Sequence, residues 1–125
     1  TQEENEEKLE DDIVVTIQSS EDYTKIVSKY NIVIIKMTAE WCKPCKLIHP
    51  FYSTTLASRF SDKKYANGGE IKFTVMDVDE VDEIAADHSV SILPTFIALK
   101  NGKKFAQYTG SDEKKLEAFV KEICQ

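Results

Sequence analysis

Apolar positions along the chain recur with two periods, and the switches between them mark the elements. Residues 13–17 are rich in β-branched side chains and predict a first strand, after which the Ser19-Ser20 pair offers an N-cap. Tyr23, Ile26, Val27 and Tyr30 then fall at i, i+3, i+4 and i+7, so a helix should turn one apolar face onto a sheet. Ile32-Val33-Ile34-Ile35 is an uninterrupted apolar run of high β-propensity, the pattern of a central strand buried on both faces. A helical stripe follows at Leu47, Ile48, Phe51, Tyr52 and Leu56, with Pro50 inside it predicting a kink.

Asn67-Gly68-Gly69 predicts a loop, Ile71, Phe73 and Val75 a strand, and Val81, Ile84, Ala85 and His88 another helix. Two further strands, 95–100 and 104–109, flank Asn101-Gly102, a strong signal for an antiparallel hairpin. After Gly110, Ser111 or Asp112 can cap a last helix with Leu116, Phe119, Val120 and Ile123 facing inward. An early parallel crossover and a late hairpin describe an α/β fold, a mixed sheet covered by helices.

At 125 residues the chain suits one core. With 42% hydrophobic and 30% charged residues it has no apolar run long enough to cross a bilayer. Its net charge of −6 argues against nucleic acid or an anionic membrane as the main partner. Much of that charge sits in residues 1–12, where five Glu and two Asp crowd together, so these residues are expected to form a solvated acidic tail ahead of a domain spanning 13–125. The start lacks the basic-then-apolar pattern of a secretory signal, and a processed leader stays open. Three cysteines, Cys42, Cys45 and Cys124, cannot all pair within one chain, which points to a reducing compartment. A cytoplasmic location is the expectation, with a processed organellar form as the alternative.

Cys42-Lys43-Pro44-Cys45 lies where the central strand hands over to a helix. A dithiol exchanger needs one thiolate to attack a disulfide and a second thiol near enough to resolve the mixed disulfide. At a helix start the unsatisfied N–H groups and the positive end of the helix favour thiolate on the first cysteine, so Cys42 is the expected nucleophile and Cys45 the more buried resolving thiol. Pro44 stiffens the first turn, and Lys43 adds a cation beside the sulfurs. The competing reading of an isolated Cys-x-x-Cys is half a zinc site, for which only His49, His88 and Cys124 remain as further ligands. His49, ahead of Pro50, reads as a solvated side chain, His88 as half-buried packing, and Cys124 as a spare surface or packing cysteine.

The segment Ala39-Glu40-Trp41-Cys42-Lys43-Pro44-Cys45-Lys46 resembles the active-site segment of the thioredoxin family, with Lys43 in place of the usual Gly. Pro50 falls where that family kinks its second helix, Asp77-Val78-Asp79 resembles the end of its third strand, Leu93-Pro94-Thr95-Phe96 its cis-proline segment, Asn101-Gly102 its hairpin, and Gly110 the glycine beside its substrate groove. The resemblance covers about residues 13–124 and implies the thioredoxin fold, a mixed five-stranded sheet covered by four helices. It implies a cis Pro94 facing the cysteines, a Leu93 backbone that pairs with substrate, and a groove shaped by Trp41 and Gly110. It also implies that disulfide-bearing proteins are the substrates, that the protein is a monomer with no bound cofactor or metal, and that electrons come from NADPH through a thioredoxin reductase.

One departure stands out, because Lys36 occupies the position where the family usually places a buried Asp. A buried neutral Lys36 could accept the Cys45 proton, a charged one could stabilise thiolate and weaken the protein as a reductant, and a snorkelling one would do neither. Besides a protein-disulfide reductase, two readings remain: a binding module in which the cysteines are incidental, and an oxidant or isomerase.

Overall fold

The second strand decides how everything else is arranged. The computed structural model describes residues 13–61 and 70–124; the expected acidic tail and the Asn67-Gly68-Gly69 loop lie outside the described residues. Strand β1 (Val14–Ile17) leads to helix α1 (Ser20–Lys29), then β2 (Ile32–Thr38) and α2 (Lys43–Pro50). A π-helical turn (Phe51–Leu56) joins α2 to the short α3 (Ala57–Phe60), so these pieces form one broken helix. Next come β3 (Ile71–Asp77), α4 (Asp82–Asp87), β4 (Thr95–Lys100), β5 (Lys103–Thr109) and α5 (Glu113–Ile123). The five strands stand in the order β1-β3-β2-β4-β5, with β2 parallel to β3 and antiparallel to β4.

Because side chains alternate along a strand, β2 feeds two cores. Ile32 and Ile34 join Ile48, Tyr52, Leu56, Phe73, Phe96, Leu116 and Val120 under the broken helix and α5. Val33, Ile35 and Met37 join Met76, Ile84, Ile97 and Leu99 on the opposite face. The apolar stripe of α1 covers this second core, but Tyr23, Ile26, Val27 and Tyr30 are only partly buried, and Tyr30 stands just past the helix end. Ser19 caps α1 by accepting from the Asp22 N–H, and Asp112, rather than Ser111, caps α5 by accepting from Lys115.

Pro50 bends the second helix by widening it. Proline donates no bond to the preceding turn, and the backbone continues with the looser i to i+5 pattern seen in the Ala57 N–H to Tyr52 C=O bond. Tyr52, fully buried, donates from Oη to the Thr74 carbonyl at 2.7 Å, which ties this helix to β3 across the core. At the other end of the sheet, Asn101 and Gly102 both take positive φ, the geometry of a two-residue turn that matches strand twist. One residue is bulged out of β5 near Ala98 and Leu99, and β5 therefore starts one residue earlier than its alternation suggests.

The same alternation puts Lys36 on the face of Ile32 and Ile34, beneath α2, where it is 2% exposed. Burial lowers its pKa from 10.5 to about 8. The folded chain thus releases this proton near pH 8 and the unfolded chain only near 10.5, so the unfolded state binds more protons in between and stability rises with pH across that window. Below about 8 the whole penalty stands, about 3 kcal/mol for a difference of this size. We therefore expect Lys36→Met to stabilise the disulfide form at pH 7 by up to about 3 kcal/mol, with the gain fading above pH 8. Urea unfolding of both proteins at several pH values measures it; a gain independent of pH would mean that Lys36 carries no burial penalty.

Candidate active site

The strand-to-helix turn builds the site from its own backbone. Leaving β2, the chain passes through Ala39, whose carbonyl accepts from the Cys42 N–H at 3.1 Å, and Cys42 takes the N-cap position of α2 in extended conformation. Its Sγ accepts from the Cys45 N–H at 3.2 Å. A sulfur thus stands where Ser or Asp usually caps, facing the positive end of the helix. Cys42 and Cys45 are joined as a disulfide with Cα atoms 5.4 Å apart. Cys42 retains 4% exposure and Cys45 none, the order expected for a nucleophile and a resolving thiol. The attacking sulfur is far less open than a free surface thiol. Lys43 and Pro44 occupy the first positions of the helix, both exposed.

A second segment meets the cysteines from the far side of the sheet. Leu93 packs on the cluster of Ala39, Cys42 and Cys45, and the Leu93–Pro94 bond is cis. The Pro94 carbonyl accepts from the Gly110 N–H at 3.0 Å, and the Thr95 and Thr109 hydroxyls are 2.8 Å apart, so β4 and β5 hold this segment from behind. Gly110 has φ of +144°, and a Cβ there would lie 2.7 Å from Tyr108 Oη, so the position suits glycine on both counts. Trp41 is 71% exposed, with its indole N–H donating to Asp79 at 2.9 Å. The structure therefore brings Leu93 onto the cysteines, binds Pro94 to Gly110, and sets Trp41 as an exposed wall next to Cys42.

Beneath α2 lies a feature that sequence reasoning read only in part. Lys36 does not snorkel: its Nζ donates to the Cys45 carbonyl at 2.8 Å and lies 2.8 Å from His49 Nδ1. Among the described residues no carboxylate pairs with it. The expectation of a merely solvated His49 is corrected here. The ring is half-buried, and burial first and the neighbouring Lys36 second lower its pKa below the usual 6.5. Neutral His49 accepts from the Lys36 ammonium. The signal that could have found it is the spacing from Cys45 to His49, i to i+4, which puts both on one side of α2. Asp79, the partner of Trp41, carried no comparable signal, being 38 residues away in sequence.

Lys36, Cys45 and His49 share a cleft of about 370 Å³ with Glu40, Lys46 and Asp77 at its margin. His88, as expected, is half-buried and bonds Tyr23 Oη at 3.1 Å, while Cys124 is buried in the core under α5. Among the described residues no group of three or more His, Cys, Asp or Glu side chains is placed to hold a metal.

Comparison with known proteins gives this geometry its family. The thioredoxin family model matches residues 14–122. Rat thioredoxin is 33% identical over 114 residues, covering 90% of this chain and 100% of its own length. Human thioredoxin is 34% identical over 92 residues, 74% of this chain and 79% of that protein. Among solved structures, Plasmodium falciparum thioredoxin superposes with a TM-score of 0.76 at 29% identity, covering 87% of this chain and 98% of that one. Its oxidised form in solution gives 0.75 at 30%, covering 90% and 99%. The chain belongs to the thioredoxin family and is a thiol–disulfide oxidoreductase of the protein-disulfide reductase type, with Cys42 and Cys45 as its redox pair.

Proposed function

We propose that the protein is a general reductant of protein disulfides in the cytoplasm, working as a monomer and recharged with electrons from NADPH by a thioredoxin reductase. The observation that carries the reductant role is the inequality of the two sulfurs: Cys42 caps the helix and keeps a margin of exposure, whereas Cys45 is closed off. The Cys42 thiolate attacks one sulfur of a substrate disulfide; the substrate S–S bond breaks and its other sulfur leaves as a thiolate. Cys45, deprotonated, then attacks Cys42 in the mixed disulfide. The Cys42–Cys45 bond forms, the second substrate sulfur leaves, and two electrons have passed to the substrate.

In this reading Trp41, Leu93, the cis Pro94 and Gly110 form the groove that receives an extended substrate segment. An exposed indole and an open backbone edge recognise chain shape rather than a coded motif. Lys43 and Pro44 tune the helix start. Lys36 is the cation that meets the negative charge appearing on the sulfurs when the disulfide is reduced, and that role also supports a second reading. A buried ammonium stabilises the thiolate form and so makes the disulfide more oxidising, toward an oxidant or isomerase.

The equilibrium potential of the pair separates the two. A value near about −270 mV, the value typical of thioredoxin, identifies a general reductant; one above about −200 mV moves the protein among oxidants and isomerases. Lys36→Met should lower the potential by about 30 mV for each tenfold loss of thiolate stabilisation; an unmoved potential would remove Lys36 from the redox balance. Cys42→Ser should abolish disulfide reduction and Cys45→Ser should trap the mixed disulfide with substrate. Both are read by trapping and turnover assays with a disulfide-bonded protein, and undiminished partner binding without either sulfur would favour a binding module instead.

A further inference from the structure

Resolution of the mixed disulfide requires Cys45, the fully buried sulfur, to lose a proton. That proton needs a way out of the interior. Lys36 and Cys45 line one cleft with His49; Lys36 Nζ donates to the Cys45 carbonyl, not to its sulfur, and lies 2.8 Å from His49 Nδ1. His49 also lines a second cavity of about 370 Å³ on the other side, beside β1, into which the hydroxyl-bearing Thr16, Ser53, Thr54 and Ser58 open. His49 and Val75 are the residues common to the two linings, and Val75 carries no proton.

We propose that His49 is the outlet of a proton path from the Cys45 thiol, taking up through Lys36 the proton that Cys45 sheds and releasing it toward the hydroxyl-lined groove beside β1. This rests on the reading of Lys36 as a participant in the redox step. Before resolution Lys36 is an ammonium, His49 a neutral imidazole and Cys45 a thiol. Lys36 passes one proton to His49 Nδ1 and takes in its place the Cys45 proton, carried by water across the cleft the two residues share, which leaves a thiolate, an ammonium and an imidazolium. The thiolate attacks Cys42; the Cys42–Cys45 bond forms, the bond from Cys42 to the substrate sulfur breaks, and that sulfur leaves with its electron pair. The imidazolium then loses the proton on its other ring nitrogen to the groove, and proton exchange with water returns the ring to the neutral tautomer whose Nδ1 accepts from Lys36.

The charges around the path suit a transient cation. Glu40, from the turn before the helix, and Asp77, from β3, border the cleft and offset the positive charge, while Lys46 of α2 adds to it. Among the described residues the groove side brings, besides His49, hydroxyls and apolar groups only. The depressed proton affinities of Lys36 and His49, both caused by burial, are in keeping with groups that pass a proton on rather than retain it.

His49 acts through Lys36 and not on sulfur, so the test must separate transfer from placement. His49→Asn keeps an oxygen that accepts from Lys36 but cannot carry a proton. Reduced protein is mixed in stopped flow with 5,5′-dithiobis(2-nitrobenzoate), whose anion is released once when Cys42 attacks and again when Cys45 resolves. Its leaving group needs no proton, so the second phase reports Cys45 deprotonation. We expect His49→Asn to slow the second phase by about a hundredfold, leave the first unchanged, and flatten the pH profile of the second. Added imidazole should restore the second phase of His49→Ala. For the unaltered protein, heavy water should slow the second phase and spare the first.

A second phase at full speed in His49→Asn, or one insensitive to heavy water in the unaltered protein, overturns the path. Lys36→Met distinguishes the two levels. If it is slow where His49→Asn is fast, Lys36 acts without His49 and only this path fails; if both are fast and the potential of Lys36→Met is also unmoved, the role of Lys36 falls with it.

Discussion

A strand buried on both faces has no room for a polar side chain without a partner, and β2 is such a strand with a lysine in it. Its alternation sends Ile32 and Ile34 to one core and Val33, Ile35 and Met37 to the other, and it carries Lys36 beneath the helix that begins at the cysteines. Neighbours on both sides fix the register, Val75 on β3 and Phe96 on β4, so a slip of one residue would exchange the two core faces along the whole strand. The ammonium finds two lone pairs, the Cys45 carbonyl and His49 Nδ1, and no carboxylate among the described residues. The strand that sets the core therefore also sets the electrostatics under the active site.

The helix above meets a related constraint. Ile48, Tyr52 and Leu56 are buried at intervals of four residues, and four residues of α-helix overshoot a full turn by about 40°. Over a long helix that drift would roll the apolar row off the core. The wider π-helical turn after Pro50 runs the other way, and Tyr52, Leu56 and Ala57 remain beneath it. Proline thus has two consequences: it removes a backbone donor where the helix bends, and it keeps the stripe in phase while the first turn stays aimed at Cys42. Tyr52, bonded to the Thr74 carbonyl and lying edge-on to Phe73, locks this phase to β3.

Much of this was legible in the residues because the signals are local. Asn101-Gly102 encodes two positive φ angles, Ser19 and Asp112 sit where a cap is required, the run at Ile32 has the composition of a doubly buried strand, and the spacing of Cys42 and Cys45 fits a helix start. What escaped depends on two elements meeting in three dimensions. That His49 faces Lys36 follows only once the face of β2 and the rotation of α2 are both known. That Trp41 finds Asp79 depends on the β3 end lying beside the turn, held by the Val78 N–H to Thr38 C=O bond at 2.9 Å. The bulge in β5 shifted the start of that strand for a similar reason, since its residues pair with β4 and not with one another.

These points bear on why a fold would retain an uncompensated buried cation. A carboxylate beneath the helix would be at odds with a thiolate forming above it, and each would raise the other's proton affinity. An ammonium reverses the sign: its burial destabilises the disulfide form, and reduction supplies the negative charge that offsets it. In the proposed role of Lys36, stability and redox poise are then coupled through one side chain. On that role, the disulfide form bears a cation with no anionic partner among the described residues and the reduced form relieves it, which would tilt the equilibrium toward the dithiol by whatever attraction the burial leaves unscreened. His49 tempers the arrangement by giving the ammonium a neutral acceptor in the oxidised state. Because that acceptor is half-buried and the amine fully buried, the proposed path has protons exchange with water at the imidazole end of the pair, while the charge proposed to meet the thiolate stays inside.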